Sequence, residues 1–343
     1  MIIAHPETST VDVLLSAEVV VLARENPDEP FALLAIEVLK GDLRDAEIDL
    51  FLNSRDRRRL KSEPDRSLVL ALVPRAGHRT ARAIGSRTRP NEWRSIGYAT
   101  EAYETLIRDI LHTAQDWQGP AGVNRRATYF MARLTHSEQD VRELAYLEVG
   151  LAPYDAIRRA DAYLPDEQLQ MILADRWRYP QHGLAILLLG VNASPAERAS
   201  IRGQMASSAR LGWSMNLSAW ATAFIEADGL DAIDWLDEHY LTDPGRAPEV
   251  VAKIVKSMSE HGNRGESALR ARIVKSLGAL IDAHPSLAGQ AATDLAAWGE
   301  WGHAERFRRL RQHPEPMDGA AALAIDRYLQ RAGRVDSMVA PGR

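Results

Sequence analysis

The chain of 343 residues is 45% hydrophobic and 26% charged with a net charge of −5, ordinary for a globular protein and long enough for two domains. It holds no cysteine, which excludes disulfides, thiolate metal sites, iron–sulfur clusters and cysteine nucleophiles, and the acidic balance argues against a globally basic nucleic-acid binder. Met1–Thr10 carries neither a basic n-region nor an apolar run, and the longest apolar run, Leu184–Val191, is far short of the ~20 residues of a membrane span. The expectation is therefore a soluble chain without a membrane span, cytoplasmic by default, or periplasmic or exported if a leader has been trimmed.

Short β-rich runs bounded by turn residues come first. Ala17–Ala23 is rich in valine. Phe31–Leu39 follows the turn cluster Asn26-Pro27-Asp28-Glu29 with Pro30, and Lys40-Gly41-Asp42 breaks the chain again. Glu47–Leu52 alternates as a half-buried strand does, Ser67–Val73 is apolar and stops at Pro74, and Arg79–Ile84 is a fifth candidate. Five strands in this span predict a small barrel or sandwich.

From Thr100 the period changes. Tyr103, Leu106, Ile107, Ile110 and Leu111 fall on one helical face, and Gly119-Pro120 closes that stretch. Thirteen further helices are predicted near 124–135, 137–150, 153–162, 166–176, 181–191, 195–208, 214–228, 230–241, 247–261, 266–283, 286–299, 302–312 and 319–332. Ser194, Pro195 and Glu197 form a capping box with a pre-set φ, and Ser137 with Asp140 is a weaker pattern of the same kind. Pro153, Pro165 and Pro248 mark further starts, and Gly229, Gly262 and Gly265 mark ends or connections. The predicted fold class is α+β: a β-barrel-like domain over 1–97, a stack of α-helical hairpins over 98–332 and a flexible tail over 333–343.

Two helical segments resemble HEAT-type repeats. In the stretch His136–Ala145 the residues Asp140, Val141, Arg142 and Ala145 match the start of a repeat helix, and Ser267–Leu280 has a similar cadence. The resemblance implies an α-solenoid whose curved surface binds proteins or peptides. Ala17–Arg24, Glu37–Asp42 and Leu68–Ala71 resemble the strands of netrin/TIMP-like domains, which implies an OB-type barrel. The inhibitory members of that group use an N-terminal cysteine, which this chain lacks, so no functional residue carries over.

Charge is the strongest local anomaly. Met1–Ser54 has 3 basic against 11 acidic residues, and Arg55–Arg94 has 12 basic against 4 acidic. Arg57, Arg58, Arg59, Arg79, Arg82, Arg87 and Arg89, with Trp93 nearby, form a candidate surface for single-stranded nucleic acid, another polyanion or an acidic protein. A basic run at Arg306, Arg308, Arg309 and Arg311 is a possible extension. The simpler reading is that the two halves neutralise each other within one domain. Trp213, Trp220, Trp235, Trp298 and Trp301 are read mainly as core. Trp298 and Trp301, beside Gly299 and Gly302, are the pair expected at a surface, where they would anchor a partner.

No metal, cofactor or catalytic site is expected. The histidines lack ligand spacing, and nucleophile-elbow, phosphate-loop and dinucleotide motifs are absent. The functional expectation is a non-catalytic interaction scaffold with a protein or peptide partner. The alternatives are polyanion binding through the arginine-rich segment and an enzyme whose site is assembled from distant residues.

Overall fold

The computed structural model describes residues 9–29, 31–43, 47–63, 66–75, 91–264, 267–312 and 318–339. The fold is α+β. A four-stranded antiparallel sheet near the N-terminus is followed by helices, and the chain forms two compact units, His5–Ala152 and Pro153–Arg343.

The first unit holds strands β1 (Val19–Glu25), β2 (Leu33–Lys40), β3 (Ser67–Pro74) and β4 (Asn91–Ala99) in the order β2-β1-β3-β4. Its helices are α1 (Thr10–Ser16), α2 (Ser54–Ser62), α3 (Glu101–Thr113), α4 (Gly119–Met131) and α5 (Gln139–Leu151). Val19 to Ala23 are all buried, which explains why β1 reads as a continuous apolar run: it is covered on both faces. One face packs Val19, Val21, Leu33, Leu68, Leu70 and Trp93 against Leu60 of α2 and against Ile48, Leu50 and Leu52. In the other direction α1 contacts β3, and α3 contacts β2 and β4 with Leu106, Ile107 and Ile110 buried.

Several expectations change here. Glu47–Leu52 is an irregular segment lying on the sheet rather than a strand. It is held by Leu52 N–H donating to Phe31 O and by the Trp93 indole donating to Glu47 O. Among the described residues the sheet is open, with β2 and β4 at its edges. The candidate strand Arg79–Ile84 lies outside the described residues. The boundary expected at 97/98 marks the change of period, since β4 ends at Ala99 and α3 starts at Glu101, but α3 to α5 compact with the sheet and the division falls at 152/153.

The second unit begins with α6 (Tyr154–Arg158), α7 (Asp166–Ala174), α8 (Tyr179–Gly190), α9 (Pro195–Leu211) and α10 (Leu217–Asp228). It continues with α11 (Leu230–Leu236), α12 (Pro248–Asn263), α13 (Ser267–Ala283), α14 (Ala288–Trp298), α15 (Ala304–Gln312) and α16 (Gly319–Val339). All thirteen helices predicted after α3 are present, as α4 to α16. The Ser194–Glu197 capping box forms, with Pro195 in the first turn. The Ser137–Asp140 box does not: α5 starts one residue after Glu138, whose N–H donates instead to His136 Nδ1. Helix α16 runs to Val339, past residue 332, so the expected tail is helical over 333–339.

Within this unit α8 packs on α10, α10 on α12, α12 on α14 and α14 on α16, while α7, α9 and α15 pair with the helix that follows each in the chain and α13 packs on α12, α14 and α11. Gly190 and Gly289 let backbones meet: a Cβ at Gly190 would lie 2.6 Å from Ala223 Cα, and one at Gly289 2.5 Å from Ala321 Cα. Cross-links recur at near-constant separation. Ser257 Oγ donates to Ser218 O, the His261 imidazole bonds Thr222 O, Arg264 bonds Glu226 and Ser259 bonds Asp294, at separations of 39, 39, 38 and 35 residues. No helix among the described residues is long and apolar enough to cross a membrane.

Candidate functional site

Two places in the helical unit combine chemistry with access. The first is an aromatic surface on the connections that enter α8 and α10. Trp177 is 80% exposed and Trp213 54%, and Tyr179, Met171, Leu211 and Met215, close to them in sequence, are exposed as well. Asp175 Oδ1 accepts from Trp177 N–H at 2.9 Å, which holds the tight turn Arg176–Arg178, and the His182 ring contacts Asp175 O at 3.0 Å. Trp213 follows Gly212, whose φ of 71° ends α9 in the left-handed region. That second connection is braced from the next hairpin: Arg246 donates to Ala209 O at 2.8 Å and Lys253 to Ser214 O at 3.2 Å. Two short reversals, into α9 and out of it, make α8 and α10 run the same way. The turns carrying Trp177 and Trp213 therefore lie at the same end of the unit.

Arg176, Arg178 and Arg210 flank these turns in sequence, and Arg246 and Lys253 reach the second of them, with Asp175, Asp243 and Glu249 in the same stretches of chain. Arg198 and Arg202 pair with Asp228. Arg176 stands over the Trp177 ring at 4.9 Å, and neither it nor Arg210 forms an ion pair among the described residues.

The second place is a cleft of about 450 Å³ lined by Glu226, His261, Arg264, Leu230 and Leu269. Glu226 accepts from Arg158 Nε and Nη2 at 2.9 and 2.6 Å, from Arg264 Nη1 at 2.8 Å and from Tyr154 OH at 3.1 Å. His261 is 1% exposed, and burial pushes its imidazole pKa down to about 4 although Glu226 opposes the shift. The neutral ring donates from Nε2 to Thr222 O. Every acceptor position of Glu226 is engaged by a donor of the same unit, so the cluster clamps α6, α10 and α12 together. Its chemistry is that of a buried ion pair, not of a free acid or base.

The residues singled out in the sequence behave differently. Arg57 pairs with Glu25 and stands over Phe31 at 4.4 Å; Arg59 stands over Tyr98 at 4.2 Å; Arg58 is exposed and donates to Ser54 O. Arg57 and Arg59 thus sit on α2 with their charge turned to the sheet. Glu25, Glu37 and Glu92 are held below the usual carboxylate range first by hydrogen bonds from Arg57, Arg108 and Arg94. Arg79, Arg82, Arg87 and Arg89 lie outside the described residues. Trp93 is buried in β4, so the stacking role considered for it is excluded. Trp298 and Trp301 are half-buried: the first donates to Asn263 Oδ1 at 2.8 Å and packs on Gly262, the second packs on Tyr328. Arg306, Arg308 and Arg311 pair with Asp282, Glu305 and Asp326.

Trp177 and Trp213 are the surface tryptophans. Their signal lay in the local chain: Trp177 sits between two arginines in a connection, and Trp213 between Gly212 and Ser214, where no helical face demands a large ring. β2 exposes Leu34, Ile36 and Val38, but two register shifts against β1 blunt that edge. Among the described residues no group of three or more His, Asp or Glu side chains is placed to hold a metal ion. No family model, curated protein or solved structure matches the chain.

Proposed function

We propose that the protein is a non-catalytic interaction module. On this reading Pro153–Arg343 is a HEAT-like α-solenoid that presents its exposed aromatic end to a protein partner. The stacking of alternate helices and the recurrent 35–39-residue cross-links support a repeat array, in which each hairpin bonds chiefly to the next. One observation carries the interaction reading: two tryptophans, each in a connection between helices, are left largely in solvent. Leaving such rings exposed forgoes burial worth about 1.5–3 kcal/mol each, and rings of this kind are favoured anchors in partner pockets. The engagement of Arg57 and Arg59 with the first unit's own acids and rings favours this reading over polyanion binding.

The test is affinity co-purification of the tagged full chain from native lysate with nuclease, beside Trp177→Ala/Trp213→Ala. A stoichiometric protein retained by the wild type and lost from the double variant is expected. Equal recovery from both proteins removes the aromatic end from the function. Nucleic acid in the untreated eluate, with no protein partner, supports the polyanion reading instead.

A further inference from the structure

We infer that a cavity in the first unit, lined by α2, α3, β4 and α5, binds a small zwitterion, an α-amino acid with an apolar side chain. This site is separate from the aromatic end and independent of the interaction reading. The cavity has a volume of about 310 Å³ and brings together Arg59 of α2, Tyr103 of α3, and Asp140 and Glu143 of α5. Ile96, Leu144 and Leu147 supply its apolar wall. Ile96 is the extra residue where β4 loses register with β3, between the pairs Val69–Gly97 and Leu70–Ser95. A bulge of this kind re-aims a strand and is common beside functional sites.

Three polar groups line this space without a hydrogen bond. The Arg59 guanidinium lies over the Tyr98 ring at 4.2 Å and 4.0 Å from Glu63, and none of its N–H groups donates among the described residues. The Asp140 carboxylate accepts from no donor among the described residues, while Glu143 accepts from Gln139 at 2.7 Å through one oxygen. Tyr103 is only 6% exposed, yet its hydroxyl is not sealed off and has no partner among the described residues. A Cβ at Gly97, on the cavity wall, would lie 3.9 Å from that hydroxyl. Burial, and then the Asp140 charge, raise the phenol above its ordinary range, so it stays a neutral donor. Polar groups on side chains this buried are ordinarily bonded. Of the neighbouring charges, Glu148 and Asp12 are held by Arg126, Glu63 by Arg66, and Arg142 by His136 O and Ser137 O.

Opposite charges therefore line one cavity without pairing across it. A ligand carrying both charges fits that gap: Asp140 and Glu143 receive an ammonium, Arg59 a carboxylate, and the apolar wall a side chain. A phosphate ester would meet two carboxylates, and a metal ion would meet Arg59 with too few acids around it.

The experiment is isothermal titration calorimetry of the full-length protein with L-leucine, with isoamylamine, which lacks the carboxylate, and with isocaproate, which lacks the ammonium. Leucine is expected to bind saturably, and each analogue at least about tenfold more weakly, as loss of a charge-assisted hydrogen bond requires. Arg59→Gln should erase the preference over isoamylamine, and Asp140→Asn/Glu143→Gln the preference over isocaproate. Tyr103→Phe removes only an unbonded hydroxyl, so it should keep the thermal midpoint while weakening leucine about fivefold. Absence of saturable binding by both L-leucine and L-phenylalanine overturns the proposal. Isoamylamine binding as tightly as leucine to the wild type overturns it in favour of a site for simple cations. Leucine affinity unchanged in all the variants overturns it by placing the ligand elsewhere.

Discussion

His261 shows how one buried side chain couples this fold to pH. The groups around it are Glu226 on α10, Tyr154 and Arg158 on α6, and Arg264 and Asp155 at the rim. Two arginines and a desolvated site oppose a second positive charge, so the ring stays neutral in the folded state down to about pH 4. In the unfolded chain it protonates near its ordinary value of about 6.5. Between these two values the unfolded state binds more protons, and stability falls as pH falls; above the ordinary value the ring contributes no pH dependence. A shift of this size corresponds to roughly 3 kcal/mol. His261→Gln, which keeps a donor for Thr222 O, is expected to flatten the loss of denaturation midpoint between pH 6.5 and 4. Identical slopes for the two proteins would show that the ring is not buried neutral. The sequence offered no hint of this role, because a histidine on a helix acquires it only from the arginines that tertiary structure brings to its cleft.

At the scale of elements, a buried ion pair ties α1, α4 and α5. Arg126 donates to Glu148 at 2.6 and 2.9 Å, to Asp12 at 2.7 Å and to Ser9 Oγ at 2.9 Å, while the Glu148 side chain has no solvent exposure. Burial raises the Glu148 carboxyl and Arg126 counteracts it. Arg126→Met should therefore cost about 3–5 kcal/mol by leaving a buried carboxylate uncompensated, and Arg126→Met/Glu148→Leu should recover most of that. Urea titrations of the two singles and the double complete the cycle, and a double variant as unstable as Arg126→Met would mean that packing, not charge, sets the cost. The helices were legible because their cues are local: Pro195 and the Ser194 cap, the apolar face of α3, the all-apolar run that becomes the buried α8. The strands were less so. β4 carries Glu92, Arg94 and Ser95 in a pattern without clean alternation, and the arginine run at 57–59 concealed α2, which is anchored by the buried Leu60. Glu47–Leu52 alternates like a strand because it lies on the sheet, yet it is tied there by Leu52 N–H donating to Phe31 O and the Trp93 indole donating to Glu47 O, without a ladder.

At the scale of the molecule, the place where the chain divides is the informative quantity. A change of hydrophobic period marks where strands give way to helices, whereas a domain boundary marks where burial is exchanged between segments. In this chain the two differ by about fifty residues. Helix α3 buries Tyr103, Leu106, Ile107 and Ile110 within the unit that holds the sheet, and burial of each such side chain is worth about 1.5–3 kcal/mol. Against the 5–15 kcal/mol of a typical domain, losing that face leaves little or nothing. A chain cut after Ala152 should therefore give two folded fragments, each with a cooperative thermal transition. A cut after Gly97 should give a first fragment without dispersed amide resonances, and a second that binds a hydrophobic dye through the uncovered face of α3. Circular dichroism melts and amide spectra of the four fragments decide between the divisions. If residues 1–97 fold alone, the sheet carries its own core and α3 is an accessory to it. If only the 1–152 fragment folds, α3 to α5 are part of the sheet domain's core, and the helical unit with its aromatic end begins at Pro153.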